Sequence, residues 1–266
     1  MNSFRRHFYI HRPFFLQAFF AFVLLISFTV WAFVNEEDIL WLTVTILAIV
    51  ILFLFTLLQI WFYTQSEKTI YPQVAGWMMT KGRISGEDQI LFPYACDSRI
   101  AQTIVSHLTT GKFWLVDLYS PQVMVANTTQ RTRRQDSLPE KDPRLKIISG
   151  EIDLLPFQDA ELDVVILFNI INEITQFGDR KRFLTEVSRV LKPNGRILIF
   201  EPIKSTTRIL VNPTAYFRLW AKDELKSHLE ESGFTRIEIQ TPATLTLLGR
   251  AITPGRYENT PLPLEY

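Results

Sequence analysis

The sequence predicts an α/β protein, with a doubly wound, mostly parallel sheet preceded by a transmembrane helical hairpin. Three observations carry that prediction. Two charge-free apolar runs lie close to the N-terminus, at Phe14–Val34 and Ile39–Tyr63. From about Thr64 the composition becomes that of a soluble domain, in which short apolar runs alternate with helical patterns. Strands and helices in that alternation imply right-handed crossovers and a sheet covered on both faces.

The first run, FFLQAFFAFVLLISFTVWAFV, holds no charge over 21 residues, and the second, ILWLTVTILAIVILFLFTLLQIWFY, holds none over 25. As helices, both are long enough to cross a hydrocarbon core of roughly 30 Å. Only NEED (Asn35–Asp38) separates them, which forces a tight hairpin. Trp31, Trp41, Trp61 and Tyr63 fall near the ends, where interfacial aromatics belong. A cleaved leader is the poorer reading, because the apolar region is too long, no A-x-A-like site follows and a second span comes at once. Two buried core helices would need protein on every side of a charge-free helix. Arg5, Arg6 and Arg12 precede the first span and Lys68, Lys81 and Arg83 follow the second, while the connecting loop has only acids. Both ends are therefore expected on the cytosolic face of the inner membrane, with the lipid bilayer as a partner.

This divides the chain into residues 1–63 (a basic segment and spans 14–34 and 39–63), a connector over 64–84, and an α/β domain over 85–266. Lysine and arginine total 28 against 27 acids, a net charge of +1, so no face needs to be strongly basic and no nucleic-acid partner is expected. The single cysteine, Cys96, cannot form an internal disulfide. The four histidines, His7, His11, His107 and His228, are scattered, and no Cys/His cluster has zinc-ligand spacing.

Within the connector, an amphipathic helix is expected around Tyr71–Thr80, followed by a turn at SGED. Strands are predicted at Gln89–Phe92, Phe113–Asp117, Lys146–Ile148, Leu162–Phe168, Arg196–Glu201 and Arg236–Gln240. Helices are predicted at Arg99–Thr109, Pro121–Gln130, Asp179–Leu191 and Asp223–Ser232. In the third of these, Phe183, Leu184, Val187, Val190 and Leu191 form one apolar stripe. KPNG then stops that helix, with Gly195 free to take a positive φ, and Gly233 lies just past the end of the fourth. The polar stretch QRTRRQDSLPEKDPR (Gln130–Arg144) reads as a solvated loop. Its Arg131, Arg133 and Arg134 have contact with anionic lipid as an alternative.

LPF (Leu155–Phe157), LDVV (Leu162–Val165) and RVLKPNGRILI (Arg189–Ile199) occur in order and at set separations. With them the region Ser85–Pro254 resembles class I S-adenosylmethionine-dependent methyltransferases of the type 11-like group, which have a Rossmann-like sheet. The tail, LWAKDELKSHLEESGFTRIEIQ followed by TLTLLGRAITP, resembles that family's last helix and closing antiparallel strand pair. The resemblance implies S-adenosyl-L-methionine as the cofactor, and a ligand site beyond the carboxyl ends of the strands.

The family's first motif is an acid followed by a G-x-G-x-G-like turn. In ILFPYACDSRIA, Phe92 takes the place of the acid, and Tyr94, Cys96 and Ser98 take the places of the glycines. Those glycines let backbone approach the cofactor without an intervening Cβ. Ala95, Cys96 and Ser98 are small enough to keep much of that room, and Asp97 is an anion that could substitute for the missing acid. Asp97 or Ser98 as a helix cap is the competing reading. Asp117 ends FWLVD, 19 residues after Ser98, where the resemblance implies an acid accepting hydrogen bonds from ribose hydroxyls. Glu151 takes the position of the acid near the adenine amino group, with Leu118 and Ile152 as apolar walls. The cofactor set is thus Tyr94, Ala95, Cys96, Asp97, Asp117, Leu118, Glu151, Ile152 and Asn169.

On the acceptor side, FNIINEI presents Asn169, Asn172 and Glu173, with Glu173 first choice as a base and a polar helix start as the alternative. Glu201 is a second candidate. The insertion Ser205–Trp220 has Tyr216, Phe217, Leu219 and Trp220 for an apolar roof over a small-molecule or lipid-like acceptor, or for packing on the connector helix with Trp77 and Met78. The expected function is that of a membrane-anchored methyltransferase. A catalytically inactive membrane scaffold or ligand-binding module is the alternative, favoured by the missing glycines and acid. A nicotinamide-dependent oxidoreductase is disfavoured, because the turn lacks the glycine array a pyrophosphate needs.

Overall fold

The computed structural model describes residues 8–9, 12–35, 38–65, 71–95, 98, 100–124, 130, 132–134, 136, 142–205, 216–243 and 246–254. Cys96, Asp97, Arg131 and most of the 205–220 insertion lie outside them. The chain divides into two compact units, Met1–Pro72 and Gln73–Tyr266.

The first unit is a pair of helices, α1 (Arg12–Val34) and α2 (Ile39–Gln65). Both are long and apolar enough to cross a membrane, over Phe15–Val34 and Ile39–Trp61. Their large side chains point outward almost throughout, including Leu24, Phe33, Ile39 and Leu40, while Ala18, Ala32 and Thr45 are buried. Small residues at those positions let helix backbones approach each other. The Thr29, Thr43, Thr45 and Thr56 hydroxyls donate back to carbonyls one turn earlier, so the polar side chains of an apolar helix are satisfied locally.

Helix α3 (Tyr71–Thr80) begins at the unit boundary and precedes β1 (Gln89–Tyr94), α4 (Ala101–Val105), β2 (Lys112–Asp117), β3 (Leu145–Ser149) and β4 (Leu162–Phe168). A 3₁₀ turn (Ile171–Glu173), α5 (Phe177–Val190), β5 (Leu191–Pro202), α6 (Lys222–Glu231), β6 (Thr235–Ala243) and β7 (Thr246–Ile252) follow. Seven strands form one sheet in the order β3-β2-β1-β4-β5-β7-β6. The first five are parallel and β7 runs antiparallel to both its neighbours, as the resemblance implies. Strand order reverses between β1 and β4, so a crevice is expected where their carboxyl ends part.

All six strands predicted from apolar runs are present, and β7 lies in TLTLLGRAITP, where the resemblance implies the second strand of the closing antiparallel pair. The solvent-shielded runs of β1 and β4 reflect a sheet covered on both faces. The stripe on α5 is buried as expected, at Phe183, Leu184, Val187 and Val190. Helix α4 is shorter than the predicted Arg99–Thr109. Ser106 and His107 turn their side chains onto the Thr103 carbonyl, and the amides of Thr109, Thr110 and Gly111 all donate to Gly86 O. The chain is thereby pulled out of the helix toward the turn before β1. Within the predicted helix at Pro121–Gln130, residues 121–124 form a turn and an antiparallel bridge from Met124 to Ile174 instead, while Gln130 is helical. In KPNG it is Asn194, at φ 63°, that takes the left-handed conformation. Gly195 is needed for close approach instead, since a Cβ there would lie 2.7 Å from Lys192 O. Gly233 does close α6, at φ 89°.

One junction sets the start of the sheet. Asp88 accepts from the Ser85 amide at 2.8 Å and from Arg196 Nη2 at 2.6 Å, joining the turn before β1 to β5. Gly111 packs under that turn, where a Cβ would meet Asp88 O at 2.4 Å and the Glu87 carbonyl carbon at 2.9 Å. These are backbone atoms and cannot swing away. Gly111→Ala should therefore destabilise the domain by about 2 kcal/mol, seen as a lower melting temperature. An unchanged melting temperature would show that this junction is pliable.

Candidate functional site

The carboxyl ends of β1, β2 and β4 bring most of the expected site residues to one edge. Asp117 closes β2, and its backbone is tied on both sides. Its carbonyl accepts from the Gly150 amide at 3.1 Å, and Leu118 N donates to Tyr94 O at 2.9 Å. Asp117 is not turned to bulk water. Its Oδ1 accepts from Tyr119 N at 3.1 Å and Arg133 Nη1 at 2.8 Å, and its Oδ2 accepts from Arg133 Nη2 at 2.7 Å. This two-pronged pairing is the geometry in which a carboxylate binds best.

Arg133 was expected in a solvated loop, and the structure corrects that. Gln130 and Thr132–Arg134 are helical, and Arg133 reaches inward to donate to Ala95 O at 3.0 Å as well as to Asp117. Its guanidinium carbon lies 4.9 Å from the Tyr94 ring centroid and 4.8 Å from that of Tyr119, both within cation–π range. Ser98 was expected as a spacer or helix cap. Instead its amide and hydroxyl both donate to Asp136 Oδ2, at 3.0 and 2.7 Å. The signal for Arg133 in the sequence was weak, because three arginines within four residues cannot be told apart before the chain folds back.

Phe92 stands where the family has an acid. It is fully buried between Phe113 and Phe168, with ring centroids 5.7 and 6.3 Å away, so it serves the core of the sheet. Leu118 and Ile152 are buried in the apolar cluster that also holds Leu155 and Val116. Glu151 is exposed, in a tight turn where Glu151 and Leu154 bridge.

Beyond β4, Asn169 takes φ 52° and donates its amide to Phe200 O at 2.9 Å, turning the chain sharply across the sheet edge. The 3₁₀ turn that follows is held by Glu201, at the end of β5. The Glu201 carboxylate accepts from Ile170 N at 2.6 Å, Ile171 N at 2.7 Å and Asn172 Nδ2 at 2.9 Å. Burial pushes its pKa up to about 7, against the lowering effect of the bonds from Ile171 and Ile170. Asn172 is buried and its amide nitrogen is shared between Glu201 and Pro202 O. The structure thus places it under the turn rather than on an acceptor space, whereas Glu173 is half-buried at the turn's end.

A second buried group went unnoticed in the sequence. Arg180 is fully buried, with Nε donating to Ile174 O at 2.8 Å and Nη1 to Arg218 O at 2.9 Å. Phe177 and Trp220 flank its guanidinium, and burial lowers its pKa. Trp220 accordingly packs on α5, with His228 stacked against it at 4.7 Å, and not on the connector helix. There Trp77 bonds to Gln240 and Met78 is buried. Phe177 and Phe217 leave much of their surface in solvent beside this cluster. Among the described residues no group of His, Cys, Asp and Glu is placed to hold a metal ion.

Comparison with known proteins agrees with this architecture. Residues 96–199 match the family described as "Methyltransferase domain". A probable S-adenosylmethionine-dependent methyltransferase of Mycobacterium tuberculosis is 32% identical over 99 residues, covering 36% of this chain and 35% of the relative. The 2-phytyl-1,4-beta-naphthoquinone methyltransferase of Arabidopsis thaliana chloroplasts is 30% identical over 117 residues, covering 44% of this chain and 41% of the relative. The chain thus spans well under half the length of these curated relatives. Among solved structures, a SAM-dependent methyltransferase from Aquifex aeolicus has TM-score 0.52 at 16% identity, over 67% of this chain and 88% of that one. The phosphoethanolamine N-methyltransferase 2 of Haemonchus contortus, solved with S-adenosylhomocysteine, also has TM-score 0.52, at 14% identity, over 69% of this chain and 52% of that one. At those identities the likeness is one of fold.

S-adenosylmethionine is the cofactor this class implies, and the residues fit it unevenly. Asp117 already accepts two parallel N–H bonds and so can accept from a vicinal diol. At the methionine end no acid stands on β1, and Tyr94 is large and buried.

Glu201 gives the site a pH signature. Its folded pKa of about 7 lies above the ordinary glutamate value of 4.5, so between those values the folded chain holds a proton that the unfolded chain releases. Its contribution is greatest below pH ~4.5 and is lost as pH rises through about 7. Glu201→Gln should flatten the dependence of melting temperature on pH across that window. Glu201→Ala, which strands the Ile170 and Ile171 amides and removes one partner of Asn172, should cost about 3 kcal/mol. A pH profile identical in Glu201→Gln and wild type would mean this carboxyl titrates normally.

Proposed function

We propose that the chain is a membrane-anchored, S-adenosylmethionine-dependent methyltransferase acting on a small, hydrophobic or membrane-resident acceptor. The observation that carries this reading is Asp117 at the carboxyl end of β2, in a domain matched to methyltransferases, with both carboxylate oxygens turned to donors. When bound, the sulfonium cofactor supplies a methyl group activated for direct displacement. Such a transfer asks the protein mainly for alignment and exclusion of water. In this reading Asp117 accepts the ribose hydroxyls and Glu151 faces the adenine amino group. Leu118 and Ile152 support the adenine, and Tyr94, Ala95, Cys96 and Asp97 line the methionine end. Asn169 directs the edge of β4 toward the methyl group. Glu173 is the base for an acceptor that must lose a proton, and Asn172 and Glu201 hold the turn that presents it.

Two features support a hydrophobic acceptor. Phe177, stacked on Trp220, and Phe217, edge-on to Tyr216, expose ring surface to solvent. One relative takes its name from a phytyl-bearing naphthoquinone. The helices α1 and α2 supply the anchor in this reading, with the domain on the cytosolic side. Tethering then raises the effective concentration of a substrate that resides in the bilayer.

Calorimetry of the detergent-solubilised chain should show binding of S-adenosylmethionine and of its demethylated product. Absence of binding at millimolar concentration would end the enzyme reading. Measured in a chain carrying Arg133→Ala, so that the cation now paired with the carboxylate is gone, Asp117→Ala should weaken that affinity by roughly tenfold or more, comparable to the loss of a charged hydrogen bond. For the anchor, a reporter fused after Asp38 should be accessible from the outer face of intact cells, and labelling only after permeabilisation would reverse the orientation.

A further inference from the structure

The ribose end of the proposed cofactor site is engaged by the chain itself. Two residues three apart clasp both loops that border it. Arg133 bonds Asp117 through both of its terminal nitrogens and also bonds Ala95 O, and Asp136 takes both donors of Ser98. Ala95 and Ser98 belong to the turn after β1, and Asp117 closes β2, so the clasp spans the two strand ends between which an adenosyl group would lie. Tyr94 and Tyr119 complete it, each presenting a ring to the Arg133 guanidinium.

We infer that Arg133 and Asp136 form an intramolecular latch over the cofactor site, and that an adenosyl ligand gains Asp117 only when Arg133 releases it. This rests on the reading of Asp117 as the ribose acid. A guanidinium fork and a vicinal diol use the same two oxygens in the same plane, so they compete rather than share. The latch also gives a physical reason for the absence of glycine at position 94. A ring there holds the guanidinium in place, which a glycine could not do. The Arg133–Asp117 pair is not deeply buried, with side-chain exposures of 24% and 34%. An ion pair so placed is modest in strength, so the latch lowers affinity without abolishing binding.

The test uses the full chain in detergent and S-adenosylhomocysteine as probe. Arg133→Ala should bind it roughly five- to tenfold more tightly than wild type, by raising the fraction of binding-competent protein. Asp136→Ala, which leaves Arg133 and Asp117 intact, should tighten binding by a smaller factor and guards against misfolding of the first variant. Asp117→Ala both releases the latch and removes the ribose acceptor. Comparing Arg133→Ala with the Arg133→Ala/Asp117→Ala double variant therefore isolates the ribose contact. Equal affinity in wild type and both variants, or weaker binding by Arg133→Ala, would overturn the latch. No binding by any of the chains would instead remove the cofactor reading on which it rests.

Discussion

Parallel pairing of β1 with both β2 and β4 is the constraint on which the rest of the domain depends. Parallel strands finish at the same edge, so Tyr94, Asp117 and Phe168 are delivered to one rim by hydrogen-bond register alone. The outward branching of the chain at that rim, to β2 on one side and β4 on the other, opens the crevice. Side-chain chemistry then decides what the crevice can hold. On the β2 side the rim carries a carboxylate and two phenol rings. On the β4 side it carries a left-handed asparagine and a turn pinned from below.

That pinning shows how a charge can be buried for a structural end. Glu201 accepts from two backbone amides that would otherwise be orphaned where β4 gives way to the 3₁₀ turn, and from Asn172, whose amide nitrogen also bonds Pro202 O. Arg180 does the converse for carbonyl oxygens, joining the turn after β4 to the segment after β5. Their pKa values are displaced in the directions that desolvation dictates, and neither has the short direct bond to the other that would cancel the penalty. Both therefore hold a local backbone geometry that apolar side chains could not specify. Glu173, at the end of the same turn, inherits its position from them.

The sheet was legible because its signals are periodic and redundant. Buried strands read as continuous apolar runs, and α5 and α6 repeat at helical spacing between charged faces. Asp117 was legible for a similar reason, since it ends a strand at a fixed distance from the preceding turn. What could not be read were choices settled by contacts distant in sequence. Helix α4 ends early because of Gly86, some twenty residues upstream, and the role of Asn172 depends on Glu201, 29 residues downstream. Arg133 is the clearest case. Its neighbours in sequence are polar and favour solvent, while its partners Asp117, Ala95 and Tyr94 are assembled only once β1 and β2 are side by side.

That case also changes how the glycine-free turn should be understood. Loss of glycine where backbone meets a ligand suggests, taken alone, a pocket that has closed for good. Steric loss of that kind would leave Asp117 without purpose, and a carboxylate that no donor needs tends to sit in water. Here the carboxylate is instead saturated by an arginine, and the aromatic ring that replaced glycine is one wall of the arginine's seat. The bulky residue and the acid are thus parts of one arrangement. Such an arrangement keeps the acid's donor-accepting geometry intact while an internal cation occupies it. On the latch inference, such a site is regulated by competition between two forks for one carboxylate, and the bulk at Tyr94 is part of that competition.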